Sequence, residues 1–306
     1  MAEQRHNAAP SNVFAGAYLD RRAVEREAAD WLQAARADAD TIYLLMRSTE
    51  VLLRSGAADA PVAVRFLRGA DPRIADTPED ALTLLGWFQG VRCVLVHGDP
   101  LAPPRTGSDE VFGELRPFAA RLPERDAGLL AYARALSIWR HNHRHCGRCG
   151  APTRPARAGH VLECTVCGQS NFPRIDPAII VLVTDGRHAL LGRQATWPQG
   201  RYSTIAGFVE PGEALEDAVR REVHEEAGIE VSASRYHSSQ PWPFPSSLML
   251  GFEADSPGGT PTATDSELED VRWFSREAVR AGEILLPPAE SISRRLIEDW
   301  LAGGPG

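Results

Sequence analysis

Residues 207–229 read Gly207-Phe208-Val209-Glu210-Pro211-Gly212-Glu213, then seven residues, then Arg221-Glu222-Val223-His224-Glu225-Glu226-Ala227-Gly228-Ile229. Pro211-Gly212 is a turn signal. Residues 213–227 contain neither Pro nor Gly and are rich in helix formers. Leu215, Ala218, Val219 and Val223 recur at helical spacing, which gives this helix an apolar face. Gly228 stands where a helix commonly ends. At about 3.6 residues per turn, Glu222, Glu225 and Glu226 share one side. Carboxylates that close repel one another and raise each other's pKa unless a cation sits among them. Clustered hard oxygen ligands suit Mg²⁺ or Mn²⁺. A charge run is most often a solvated helix face. Here Arg221, Glu213 and the glycines fall in register with the acids, and that favours a site.

A second pattern is C-x2-C, fourteen residues, C-x2-C: Cys146, Cys149, Cys164 and Cys167. This spacing reads as a closed, tetrahedral, structural zinc site, one Zn²⁺ per chain. Two disulfides are the alternative, and they fit poorly with a cytoplasmic chain. Four thiolates leave no open position for catalysis. His141, His143 and His145 precede the first cysteine, but the tetrahedron is complete without them, so they read as a solvent-facing helix end. Cys93 lies in a strand-like run and reads as a buried core thiol.

The net charge of −8 over 306 residues argues against an electrostatic nucleic-acid binder. It does not exclude a nucleotide, whose phosphates metal ions can neutralise. No apolar run reaches the ~18 residues of a membrane span, and the first residues show no signal-peptide core, so no membrane partner and a cytoplasmic location are expected. Residues 1–12 look disordered. A short helix is expected within 21–37. Strands come next over 41–47, 50–54, 61–67 and 81–97, and helices over 111–121 and 124–140. Beyond 172, strands are expected over 178–184, 188–193, 229–237, 248–255 and 271–274. Helices over 276–281 and 291–301 close the chain.

The pattern G-x5-E-x7-R-E-U-x-E-E-x-G-U, with U aliphatic, resembles the Nudix box of hydrolases that cut a diphosphate linked to another group. Ten residues beyond it comes Ser239-Gln240-Pro241-Trp242-Pro243-Phe244-Pro245-Ser246-Ser247. Three prolines stiffen this stretch and two aromatics alternate with them. Such faces can stack a purine or pyridine ring, for about 1–3 kcal/mol per base. Gln240 and the serines could hydrogen-bond ribose or ring edges. Composition alone would favour a Pro-rich connecting loop with its aromatics tucked into the core. The pattern S-Q-P-W-P-F-P-x-S, however, is similar to that of the NADH pyrophosphatases of the NudC type, which also carry a four-cysteine ribbon ahead of the Nudix domain.

That resemblance implies an α+β chain: a Nudix α/β/α sandwich with a mixed sheet over 172–306, a zinc ribbon over 141–171, and an N-terminal accessory α+β domain over 1–140. It implies that Glu222, Glu226, Glu267 and the main-chain carbonyl of Ala206 hold two or three Mg²⁺ or Mn²⁺ ions, with Glu225 close by. Glu269 is the rival of Glu267. Phe172 and Phe208 would flank substrate rings. Residues Gln240, Pro241, Trp242, Pro243, Phe244, Pro245, Ser246 and Ser247 would line the pocket, and Ala289 would touch the nucleotide through its backbone. A homodimer is implied, with a site built from both chains. The expected reaction is hydrolysis of the NAD(H) pyrophosphate to NMN(H) and AMP, with Glu226 the residue most needed and Glu225 or Glu267 as rival bases. Removal of NAD caps from RNA uses the same bond. A non-catalytic nucleotide sensor is the reading from another class.

Overall fold

The computed structural model describes residues 12–16, 18–54, 62–98, 106–264 and 267–303. Of the residues expected to be disordered, 1–11 lie outside that set. Two compact units emerge. One comprises residues 16–174 with Pro243–Ser246; the other comprises residues 1–15, 175–242 and 247–306.

The first unit carries an eight-stranded sheet of β1 (Leu19–Asp20), β2 (Ile42–Arg47), β3 (Glu50–Arg54), β4 (Ala63–Val64), β5 (Phe66–Leu67), β6 (Leu82–Phe88), β7 (Val91–Gly98) and β8 (Glu110–Glu114). Strands β2 and β7 run parallel, whereas β6–β7 and β2–β3 are antiparallel. Residues such as Tyr43, Leu45, Leu52, Leu84, Val94 and Trp31 bury one core against it. Trp31 comes from α1 (Trp31–Ala37), and Ile74 from the short α2 (Pro72–Ala75). The helix expected within 21–37 is split, because Ala28 is extended between a 3₁₀ turn at Ala23–Glu27 and α1. Cys93 is fully buried, as expected, and burial pushes its thiol up.

Residues 111–121 are not the expected helix. Residues Glu110–Glu114 pair with β3, and Arg116–Arg121 form a 3₁₀ turn with Pro117 in its first positions. A Cβ at Gly113 would lie 3.1 Å from Leu53 and 3.2 Å from Phe118, so the strand sits close against its neighbours there. A long helix, α3 (Glu124–Asn142), then leads to the ribbon of β9 (Thr153–Ala156), β10 (Val161–Cys164) and β11 (Ser170–Asn171).

The second unit is an α/β/α sandwich. Its strands are β12 (Asp176–Thr184), β13 (His188–Arg193), β14 (Ile205–Phe208), β15 (Ala233–Trp242), β16 (Ser247–Asp255) and β17 (Asp270–Ser275). The order is β15-β16-β12-β13-β17, with β14 paired to β12. Among these strands only the β12–β16 pairing is parallel, so the sheet is mixed. Side chains alternate across β12. Ile179, Val181 and Val183 face α4 (Leu215–Ala227) through Ala218, Val219 and Val223. Ile180 and Leu182 face Leu296, Ile297 and Trp300 of α6 (Ile292–Leu301) and Val279 of α5 (Arg276–Arg280). A strand covered on both faces needs apolar residues at every position, which accounts for the unbroken aliphatic run in β12. The expected strand over 229–237 starts later, at Ala233, and continues through Trp242.

One buried charge network in the first unit is open to test. Glu110, with its side chain 2% exposed, accepts bonds from Arg73 Nη1 at 2.5 Å and Arg65 Nε at 2.8 Å. The Arg73 contact above all holds the Glu110 carboxyl down at about 2. A depressed acid stabilises the fold above its unfolded pKa and loses that contribution as pH falls toward the folded value. Glu110→Gln is therefore expected to cost about 3 kcal/mol in a denaturant titration at pH 7, because it removes the charge shared by Arg65 and Arg73, leaving Arg73 with Asp71 alone. The difference from wild type should shrink as pH drops from about 4.5 toward 2.

Candidate functional site

The loop from β14 to α4 is tied to the helix by one side chain. Arg221 Nε and Nη2 donate to the two oxygens of Glu213 at 2.8 and 3.0 Å. Nη2 also donates to the Phe208 carbonyl at 2.9 Å. Nη1 donates to Glu222 at 2.9 Å and Glu225 at 3.0 Å. Glu213 in turn accepts the Glu210 amide at 3.0 Å, which closes the turn around Gly212, whose φ of +88° favours glycine. Gly228, at φ +65°, ends α4 as expected.

Gly207 is required by space. A Cβ there would lie 1.9 Å from the carboxyl carbon of Glu222. The missing side chain leaves the place that this carboxylate occupies. Glu222 is 9% and Glu226 4% exposed, while Glu225 and Glu267 are exposed. Burial raises the Glu222 pKa; Arg221 opposes that, and the charges of Glu225 and Glu267 add to the rise. A buried acid whose charge is disfavoured by two further acids fits a divalent cation. Ala206, opposite Ile180 in the β14–β12 pair, precedes Gly207 by one residue. Of the two rival acids after the box, Glu269 forms an ion pair with Arg193, whereas Glu267 acts on Glu222.

The proline-aromatic stretch is the tip of the β15–β16 hairpin, with Trp242 paired to Ser247. Gln240, expected to line the pocket, is turned into the fold. It is 0% exposed and its amide is engaged by main chain: Nε2 donates to the carbonyls of Val13 at 3.0 Å and Glu290 at 2.7 Å, and Oε1 accepts the Ile292 amide at 2.9 Å. It clamps the hairpin to the start of α6 and to a strap at residues 12–15. In that strap Asn12 Nδ2 donates to the Ser239 carbonyl at 2.8 Å and to Ser238 Oγ at 3.0 Å. Buried Phe14 meets Trp242 edge-on, 6.0 Å between ring centres. Neither Asn12 nor Phe14 was legible as part of the site, since a polar terminal segment carries no periodicity. Pro241 and Ser246 are partly buried; Pro245 is exposed. Pro243 and Phe244 belong to the first unit. There the Pro243 carbonyl accepts from Arg134, whose guanidinium lies 4.4 Å from the Phe244 ring centre. Ala289 is exposed beside Glu290. Phe208, in the second unit, is 59% exposed, and Phe172, in the first, is 62% exposed.

The ribbon cysteines converge. All four Sγ atoms lie within 4.8 Å of one another, and among the described residues no other group of three or more His, Cys, Asp or Glu does so. Separations of 3.4, 3.5 and 3.7 Å approach the edge of about 3.8 Å that a ZnS₄ tetrahedron has when Zn–S is near 2.3 Å. They are far too long for disulfides. The Cys167 and Val166 amides bring the Cys164 thiol down to about 6, toward the thiolate a metal needs. None of His141, His143 or His145 joins the cluster; His143 Nδ1 bonds the Trp139 carbonyl at 2.8 Å.

Comparisons with known proteins agree with this layout. Residues 174–300 match the NUDIX domain, 141–172 the NADH pyrophosphatase zinc ribbon domain, and 40–139 the NADH pyrophosphatase-like rudimentary NUDIX domain. The protein named NAD-capped RNA hydrolase NudC of Mycobacterium tuberculosis (strain ATCC 25618 / H37Rv) is 38% identical over 299 residues, covering 92% of this chain and 90% of its own. That of Stutzerimonas stutzeri (strain A1501) is 46% identical over 189 residues, 61% of this chain and 67% of its own. NAD-capped RNA hydrolase NUDT12 of Macaca fascicularis is 32% identical over 342 residues, 96% of this chain and 74% of its own.

Two substitutions probe the site. Gly207→Ala is expected to leave the melting temperature nearly unchanged, since only the end of a side chain must move. It should displace the Glu222 carboxylate and lower kcat/KM by about 10²-fold. Cys164→Ser is expected to lose the zinc, measured by atomic emission on the purified protein, and to unfold the ribbon.

Proposed function

We propose, for a chain that belongs to the Nudix hydrolase family in its zinc-ribbon NADH pyrophosphatase branch, that it hydrolyses the pyrophosphate of NAD(H) to NMN(H) and AMP. The observation that carries this is the cradle of Gly207 around Glu222, with Arg221 holding Glu213, Glu222 and Glu225 to the loop. Glu222, Glu226, Glu267 and the Ala206 carbonyl would hold two or three divalent ions. Mg²⁺ or Mn²⁺ bound there supplies Lewis acidity to phosphate oxygens and lowers the pKa of water. Water attacks one phosphorus, the bridging P–O bond breaks, and the departing phosphate takes the bridging oxygen. A carboxylate takes the proton of the water. Glu226 is the residue most needed, as ligand and base; Glu225 and Glu267 are the other candidate bases. Arg221 positions the carboxylates and does not touch substrate. Phe172 and Phe208 offer exposed rings for stacking on base or pyridine.

The same chemistry removes an NAD cap from RNA, and the names of the relatives favour that substrate as the second reading. A non-catalytic sensor is disfavoured because every box glutamate is present. We further propose a cytoplasmic homodimer that pools residues from both chains. The exposed Ile175 and Tyr236 of the second unit support an apolar contact, and sizing with light scattering tests it. Among the described residues no helix is long and apolar enough to cross a membrane.

Glu226→Gln is expected to lower kcat by at least about 10²-fold while leaving the fold intact. The assay is release of NMN and AMP from NAD(H) with Mg²⁺ or Mn²⁺. Variant activity within tenfold of wild type would sink the role of Glu226. No product from the wild type with either metal would revive the sensor. The ratio of kcat/KM on NADH and on NAD-capped RNA decides between the two substrates.

A further inference from the structure

A cavity of about 610 Å³ opens in the first unit, between β7, the end of α3 and the zinc ribbon. Its walls include Arg140, Arg144, His97, His141 and Asp80. Neither arginine forms an ion pair among the described residues. Arg140 spends its bonds on neutral oxygens: Nη1 donates to the Leu82 carbonyl and to Thr83 Oγ1, both at 3.1 Å, and Nη2 to the Asp80 carbonyl. Two of its five N–H groups stay open. Arg144 uses one donor, Nη2, on His141 Nδ1 at 3.0 Å. His97 Nε2 bonds Thr83 Oγ1 at 2.9 Å, and its Nδ1 has no partner among the described residues. Burial pushes Arg140 down to about 10, and the charge of Asp80 only partly offsets this.

The open cavity is lined by two guanidinium groups, half-buried Arg140 and exposed Arg144, against one carboxylate, exposed Asp80. A half-buried guanidinium whose bonds go only to neutral oxygens, as those of Arg140 do, gains from an anion that supplies the counter-charge. Guanidinium groups match phosphate oxygens in geometry. The volume suits a nucleotide-sized ligand.

We propose that this cavity is a phosphate-binding site, separate from the hydrolytic one, that takes a phosphoryl group through Arg140 and Arg144. Two sources offer that chemistry: a free phosphate or mononucleotide, and the backbone of a single-stranded oligoribonucleotide. The site is independent of the reading of the catalytic unit, so binding is measured without turnover.

The test is calorimetric titration of the full chain, without added Mg²⁺ or Mn²⁺, with inorganic phosphate, AMP and a short 5′-hydroxyl oligoribonucleotide. Arg144→Glu removes a side chain whose one bond is to His141, and Asp80→Asn keeps the main-chain bond to Arg140. Both variants are expected to keep the wild-type melting temperature. Arg144→Glu should weaken binding by at least about tenfold, and Asp80→Asn should tighten it about threefold. Weakening confined to phosphate and AMP identifies the free source. Weakening confined to the oligonucleotide identifies the backbone. Either result supports the site. Affinities unchanged in both variants for all three probes, or no binding of any probe to the wild type at millimolar concentration, overturn it. Release of NMN and AMP with Mg²⁺, measured on the same variants, reports separately on the catalytic reading.

Discussion

One guanidinium organises the catalytic unit. Arg221 reaches the loop through Glu213 and the Phe208 carbonyl, and the helix through Glu222 and Glu225. These contacts raise its own pKa, with Glu213 the largest influence, so it stays charged at any pH the fold survives. Three carboxylates against one cation still leave an excess of two negative charges, before Glu226 and Glu267 are added. Arg221 thus fixes the shape of the site and leaves its charge unbalanced. The imbalance concentrates on Glu222, which is buried and cannot shed its repulsion to water. A site built so favours cations electrostatically, and of the carboxylates that tie the loop to the helix, Glu222 is among those proposed to hold the metal.

How much of this could be read from residue order depends on the range of the interactions. The helix Leu215–Ala227, its glycine stop and the pairing of Arg221 with Glu213 are local, and the spacing reveals them. So are the four cysteines, because two tight turns set their separations. The unbroken aliphatic run of β12 also shows, since both faces are covered. The hidden part is non-local. Gln240 looks like a polar group offered to a ligand, yet its amide is used up by main chain 227, 50 and 52 residues away, separations that no periodicity encodes. Residues 111–121 mislead for a related reason: their apolar spacing suits a helix, but pairing with β3 and Pro117 decide otherwise.

The rudimentary first unit and the catalytic second unit share one device, a single parallel strand pair inside an otherwise antiparallel sheet: β2 with β7, and β12 with β16. Only the second places a box helix and its carboxylates beside that pair. The first has α3 and the ribbon instead, and so carries the Arg140 and Arg144 side chains and a four-cysteine cluster where the second carries its acids. Chemical identity in this chain rests less on the sheets than on the helices and loops attached to them.

The chain passes between the two units four times, at residues 15/16, 174/175, 242/243 and 246/247. Neither unit is one uninterrupted segment, although the boundary near residue 174 suggests a simple cut. A fragment starting at residue 175 would carry the whole box yet lack the strap whose Val13 carbonyl accepts one of the three bonds of Gln240. It would also carry Phe244 away from Arg134. Excision, gene fusion or transplantation of the hydrolase portion at that boundary would leave one N–H of a buried amide, and an aromatic tip, without their partners. During synthesis, too, most of the chain must leave the ribosome before either gap is closed.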